Sequence, residues 1–259
     1  MLTYKTILFF LIPVTLLLGF FLYKNQWTKK VDDSCLIVGT TPTFQPYEFI
    51  ENGEVVGFEI DLIKEVAKRL NKKIVFKTVA FDTLLLEAQA GSIHVIASGM
   101  TPTEERAKKV IFTKPFIQND PLVVITCKPN KVEQVSDLYE KEVLVNEGYV
   151  AEEYMLKIPE IKTQRLETIA EAFLALTNGR AYCFATALSV ALPFMKQYGK
   201  DKFNIFHLNF SESYAMAVSN VHQELYSVIK KTVDAIYQDG TLEALKKKWN
   251  IDFNENDYK

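Results

Sequence analysis

The sequence predicts a two-lobed α/β protein, each lobe a mostly parallel sheet flanked by helices, with two crossovers serving as a hinge. Three observations lead there. Apolar strand-like runs alternate with amphipathic helical stretches, the alternation begins afresh near Pro121, and the last segments have the character of a return to the first lobe. At 259 residues, with 48% hydrophobic content and mixed charge, the chain can build a large core and is globular rather than disordered.

The first lobe opens with LIVG (36 to 39) and a turn region reaching to Gly53. Residues 57 to 70, GFEIDLIKEVAKRL, then form an amphipathic helix. Gly57 lets the chain turn close to a neighbouring strand, and Glu59 and Asp61 place negative charge in the first turn, where the helix dipole favours it. Leu62, Val66 and Leu70 build one apolar face. The charges of this helix are expected mostly on a solvated face. The strand KIVFKTV (73 to 79) follows, then a helix over 82 to 90 stopped by Gly91, then HVIASG (94 to 99). A dinucleotide-binding domain would share this alternation but carry G-x-G-x-x-G after its first strand; GTTPTFQP stands there instead.

The second lobe reads as LVVITC (122 to 127), EVLVN (142 to 146), a helix from about Val150, and a helix over 168 to 177 with Gly179 at its C′ position. YCFAT (182 to 186) and a helix ending by Gly199 complete it. SYAMAVS (213 to 219) and helices over 223 to 238 and 242 to 249 make the return. The crossovers fall near 114 to 121 and 207 to 213, dividing the chain into one lobe of 35 to 117 plus 210 to 252, a second of 118 to 209, and a tail of 253 to 259. A double crossover is built to hinge and close on a ligand.

The N-terminus differs in kind. Residues 7 to 23, ILFFLIPVTLLLGFFLY, are seventeen in a row without a charge and follow Lys5, so export is expected. Two readings stand: an uncleaved membrane anchor or a cleaved signal peptide. LGFFLY (18 to 23) holds only Gly19 as a small residue for a cleavage site, and Asp32-Asp33-Ser34-Cys35 is unlike a lipobox. Residues 25 to 34 form a polar linker. Thirty basic and thirty-two acidic residues are dispersed, for a net charge of −2, which argues against a nucleic-acid partner. Three cysteines and three histidines are too scattered for a metal site. Cys127 and Cys183 either form a disulfide or remain buried thiols with Cys35.

In open α/β sheets ligands sit beyond the carboxyl ends of the strands. After the first strand, Pro42 and Pro46 stiffen a loop that presents Phe44, while Tyr47 and Phe49 read as core. Phe81 precedes Asp82, an N-cap candidate, and on its own reads as a hydrophobic staple. Ser98-Gly99-Met100-Thr101-Pro102-Thr103-Glu104-Glu105-Arg106 is the fullest signal. Thr101 and Glu104 form a capping box with Pro102 at the first helical position, the exposed N–H groups favour an anion, and Arg106 can grip a carboxylate with two parallel bonds. As a bland alternative, Arg106 is a solvated helix residue paired with Glu104 or Glu105.

Taken with GFEIDLIKEVAKRL, these turns resemble the polar amino-acid family, family 3, of extracytoplasmic solute-binding proteins of ABC transporters, over residues 36 to 250 and most strongly over 36 to 116. The resemblance implies a type II periplasmic-binding-protein fold in which Phe44 and Phe81 sandwich the ligand. Arg106 would hold its α-carboxylate, assisted by Ser98, Gly99, Met100 and Thr101. Asn146-Glu147-Gly148-Tyr149-Val150 aligns with the family's turn that closes over the carboxylate through backbone N–H groups. One position departs: where the family carries an acid for the α-ammonium group, Thr186 is followed by Ala187. Glu147 and Glu48 are the candidates to replace it. Thr41 also stands where many relatives carry Asp.

The resemblance further implies a periplasmic or extracytoplasmic monomer, with neither cofactor nor metal. Such a protein captures an amino acid, arginine or another basic or polar one, and delivers it to an ABC permease in the inner membrane. The alternatives are a cyclohexadienyl dehydratase-like enzyme on the same scaffold, with Glu147 as its acid or base, and a sensor or non-binding member.

Overall fold

The computed structural model describes residues 34 to 251. The apolar segment 7 to 23 and the tail 253 to 259 lie outside the described residues. Among the described residues, no helix is long and apolar enough to cross a membrane.

The chain runs β1 (Cys35–Thr40), β2 (Thr43–Phe44), β3 (Glu48–Glu51), β4 (Glu54–Val56), α1 (Phe58–Arg69), β5 (Lys73–Thr78), α2 (Leu84–Gln89), β6 (Val95–Ile96), α3 (Glu104–Ala107) and β7 (Val110–Phe112). It continues through β8 (Ile117–Cys127), β9 (Glu142–Asn146), α4 (Val150–Met155), β10 (Lys162–Leu166), α5 (Ile169–Thr177), β11 (Cys183–Ala187), α6 (Leu188–Tyr198) and β12 (Phe203–Tyr214), and ends with β13 (Ala217–Ser219), α7 (Gln223–Gln238) and α8 (Thr241–Trp249).

Two five-stranded sheets result, ordered β5-β1-β6-β13-β7 and β10-β9-β11-β8-β12. In the second, β10, β9 and β11 are parallel, and the crossover strands β8 and β12 join antiparallel. In the first, β1 and β6 are parallel, while the returning β13 is antiparallel to both β6 and β7. The antiparallel strands in each lobe are thus the ones that cross between lobes or return from the other. A third sheet, β2-β3-β4, occupies the turn region after β1.

Apolar packing is continuous through both lobes. One buried cluster takes in Leu36, Phe58, Val66 and Val95, passes through Phe44, Tyr47 and Tyr214, and reaches Phe173, Phe184 and Val190. The α1 stripe buries Leu62, Ile63 and Val66 as its period requires. Lys64, Lys68 and Arg69 are exposed, but the two first-turn acids are not simply solvated. Glu59 is wholly buried and its Oε2 accepts a 2.6 Å bond from the Gly99 N–H. Asp61 accepts bonds from Lys248 Nζ at 2.7 Å and Trp249 Nε1 at 2.8 Å, which fastens α8 onto α1. A first-turn acid satisfies the dipole whether it faces water or a backbone donor, so its position alone does not reveal which.

Gly57 adopts φ 135°, and a Cβ there would lie 2.1 Å from the Tyr47 carbonyl oxygen. That carbonyl also accepts the Glu59 N–H at 3.0 Å, so it cannot withdraw without unravelling the start of α1. Gly57→Ala is expected to cost about 3 kcal/mol or more in stability, measured by urea denaturation.

The cysteines are all free. Cys183 belongs to the apolar cluster containing Val143 and Leu208, whereas Cys127 packs against the separate cluster containing Phe173 and Leu176. Cys183 stands opposite Thr126 in the β8–β11 ladder, so its neighbour Cys127 projects to the other face and the disulfide alternative fails.

Candidate functional site

Three turns at the ends of first-lobe strands lie close together, and their local chemistry differs from the sequence pattern. The helix after β6 is capped by Thr103, whose hydroxyl accepts the Arg106 N–H at 3.3 Å, and α3 is only four residues long. The Thr101 capping box is therefore not formed, because the chain stays extended through Pro102 and Thr103. Freed from capping, the Thr101 hydroxyl donates to Glu212 Oε2 at 3.1 Å. Asp82 is not an N-cap either. A short 3-10 turn, Phe81–Thr83, precedes α2, with Ala80 before it.

Arg106 is buried at 5% exposure and its guanidinium bridges the lobes. Nη1 donates to the Thr101 carbonyl at 3.1 Å, and Nη2 donates to the Gly148 carbonyl at 2.9 Å and to Glu153 Oε1 at 2.8 Å. Its carbon lies 5.7 Å from the Phe81 ring centroid. The alternative pairing with Glu104 or Glu105 does not occur, since Glu105 bonds Lys109 instead. A cavity of about 360 Å³ opens beside this bridge, lined by Thr101, Thr103, Val150, Glu153 and Ser211 among others.

Ser98 and Gly99 lie in the same cleft. The Ser98 hydroxyl accepts the Thr41 N–H at 3.0 Å. Gly99 has φ 55°, and a Cβ on it would fall 2.7 Å from the Phe44 ring and 3.4 Å from Glu48 Oε1. This glycine lets the aromatic and the acid approach the backbone together. Met100 departs from expectation: its side chain is fully buried among Leu84, Ile93, Ile96 and Val110, so the cleft receives only its backbone.

The second-lobe turn is where the structure differs most. The Gly148 N–H is taken by Glu152 Oε2 at 2.7 Å, and the turn offers its carbonyl, not its N–H, to Arg106. Tyr149 comes between the two predicted flanking aromatics, with ring centroids 5.6 Å from Phe44 and 4.4 Å from Phe81. Phe44 also packs on Tyr47 and Tyr214, at 5.5 and 5.6 Å. Glu147 is about half exposed and faces Arg165, so it does not replace the acid missing at Ala187. Val150 begins α4 and is buried; Thr186 is buried in β11 opposite Val123.

Glu48 is wholly buried and, among the described residues, has no cation paired with it; the Ser98 hydroxyl alone acts on its carboxyl group. Burial and the adjacent Glu59 carboxylate push its pKa well above the ordinary range, with Ser98 opposing. Burial raises Glu59 to about 8 against the bonds it accepts from Gly99 and Ser98. Two acids that the sequence did not single out complete the group, Asp120 and Glu212, at 5% and 7% exposure. Burial raises both. Glu212 is pushed up to about 7, with the Asp120 charge adding to the effect and Thr101 and Arg106 opposing it. The site thus gathers four buried carboxyl groups and five aromatic rings, and of the four acids Glu212 is the one that feels the Arg106 charge.

A family model described as bacterial extracellular solute-binding proteins, family 3, matches residues 36–252. The chain belongs to this family. Among its family 3 relatives, the ABC transporter arginine-binding protein 1 of Escherichia coli is 29% identical over 217 residues, covering 82% of this chain and 88% of that protein. A solved ancestral arginine-binding protein bound to arginine is 36% identical, with a TM-score of 0.78, covering 83% of this chain and 98% of the other. An ancestral amino acid-binding protein described as a precursor of cyclohexadienyl dehydratase is 30% identical, with a TM-score of 0.75, covering 83% and 95%. The family 3 fold thus accounts for the two lobes and the double crossover.

Proposed function

We propose that this protein is the substrate-binding component of an amino-acid ABC importer, specific for a basic amino acid with arginine foremost. On this reading it closes its lobes, 35 to 117 plus 210 to 252 and 118 to 209, on the ligand and delivers it to a membrane permease, working outside the cytoplasm. One observation carries the ligand class: the wholly buried Glu48, with no cation paired to it among the described residues, stands at the Phe44 edge of a cleft whose bridging cation is Arg106. An unpaired buried carboxylate is costly, and a cationic side chain entering between aromatic faces supplies what it lacks.

Arg106 takes the α-carboxylate in this scheme, exchanging Glu153 for it. Glu153 is 42% exposed at its side chain and can turn to water, so the exchange costs little. Tyr149 swings from between Phe44 and Phe81 to admit the ligand. Binding rather than catalysis is favoured because Glu147, the acid or base that the enzymatic alternative would use, lies on the surface paired with Arg165.

The test is a thermal-shift screen of the twenty amino acids. Arginine at a thousand times its dissociation constant should stabilise the protein by about 4 kcal/mol, with lysine or histidine next and acidic amino acids without effect. A shift with glutamate and none with basic amino acids would refute the ligand class.

A further inference from the structure

We propose that the ligand's α-ammonium group is held at the hinge, by Glu212 with Asp120 directly behind it. This rests on the reading that Arg106 takes the α-carboxylate. The crossover strands β8 and β12 pair antiparallel, and their register sets Asp120 opposite Glu212. Asp120 is firmly anchored. Its Oδ1 accepts the Ser189 N–H at 3.1 Å, while Oδ2 accepts the Tyr214 hydroxyl at 2.8 Å and the Ser189 hydroxyl. Ser189 is two residues past Ala187, so the carboxylate that reaches the turn after β11 comes from the neighbouring strand.

Proximity selects Glu212 for the ammonium rather than the side-chain cation. An α-ammonium and an α-carboxylate share one carbon, so the acid that binds the first must lie beside the group that binds the second without being consumed by it. Glu212 fits: its Oε2 accepts from the Thr101 hydroxyl, and the carbonyl of that same residue accepts from Arg106. Arg106 itself is bonded to Glu153 and Gly148.

The groups that face Glu212 are Asp120 from β8, Arg106 from α3 and Tyr214 from its own strand, and its charge reaches Tyr47 and Tyr149. Glu48 is the independent sign that a cation belongs in this space. It is wholly buried with no cation paired to it among the described residues, and its charge acts on the same two tyrosines, Tyr47 and Tyr149. Two stations then exist, Glu212 with Asp120 for the ammonium and Glu48 for the distal cation.

Calorimetry with L-arginine and with 5-guanidinopentanoate, which is arginine without its α-amino group, decides the matter. Glu212→Gln should weaken arginine binding on the order of 100-fold, the usual scale for truncating one partner of a buried hydrogen-bonded charge pair. The same variant should bind 5-guanidinopentanoate as well as the wild type does. Asp120→Asn, which keeps an acceptor for Ser189, should show the same selective loss to a smaller degree.

Equal weakening of both ligands, or unchanged arginine affinity in both variants, would overturn the assignment. If the wild type prefers another amino acid, that amino acid and its deamino analogue take the place of this pair. A wild type that binds none of the twenty amino acids overturns the amino-acid reading, and this inference with it.

Discussion

Arg106→Ala is expected to abolish measurable amino-acid binding while leaving the protein folded. The guanidinium is the bridging cation of the cleft and joins the lobes through the Gly148 carbonyl and Glu153. Removing it leaves a ligand carboxylate buried beside Glu212 and Asp120 with no positive partner, a loss of roughly 3 to 5 kcal/mol or more. Stability should change far less. Glu153 is part-exposed and rehydrates, and the Thr101 and Gly148 carbonyls lose one bond each. Calorimetry against arginine, with circular dichroism melts as the control, checks both halves. Retained affinity would sink the carboxylate assignment.

The second large effect is on pH dependence. Glu48, Glu59, Glu212 and Asp120 all have pKa values raised by burial, so the folded protein holds protons that the unfolded chain has released. The sign follows from linkage: where the folded state binds more protons, stability falls as pH rises. The window opens near the ordinary carboxylate pKa of about 4 and extends at least to about 8, the value to which Glu59 is raised. Protein without added ligand should therefore melt at a lower temperature at pH 8 than at pH 5.5, contrary to the usual behaviour of salt-bridged carboxylates.

Glu48→Gln should flatten that slope. It replaces a buried acid whose pKa is raised with an amide that does not titrate, so folding no longer takes up a proton at this position. A gain on the order of 1 to 3 kcal/mol at pH 8 is expected, together with loss of affinity for arginine, a trade of function for stability. Melting curves at half-unit pH intervals measure the slope. A wild-type melting temperature that rises from pH 5.5 to 8 would refute the account.

Local pattern made the scaffold legible in the sequence. β9 and α7 fall where the apolar periods placed them, Gly179 lies just beyond the α5 C-cap, and Gly57 does make its close approach. The loops that gather Phe44, Phe81, Ser98, Gly99 and Arg106 were also legible, because a strand end followed by Pro, Gly or a cap is a local signal. What was not legible lies in contacts between distant segments. The pattern places a crossover at 114 to 121 and a strand from Leu122, yet β8 begins at Ile117 and runs through Asn119, which takes φ 59°. Asp120 thereby becomes a buried strand residue facing Glu212, ninety-two positions later. From the sequence Tyr149 counts only as a backbone donor; its ring lies between Phe44 and Phe81, which are distant in the chain. Glu59 looked like a surface charge because its partner, the Gly99 N–H, is forty residues away.

The order of strands in the first sheet bears on how the chain comes to be folded at all. β13, from the far end of the sequence, lies between β6 and β7, and α8 is fastened to α1 through Asp61. The second sheet, by contrast, draws all its strands from one continuous stretch, residues 117 to 214. As the polypeptide emerges in order, the amino-terminal lobe lacks an interior strand until its last quarter is made. The second lobe has every strand available earlier, and long-range closure is the slow step. A chain arranged this way keeps its amino-terminal lobe open longest, until the strand that completes it has been made.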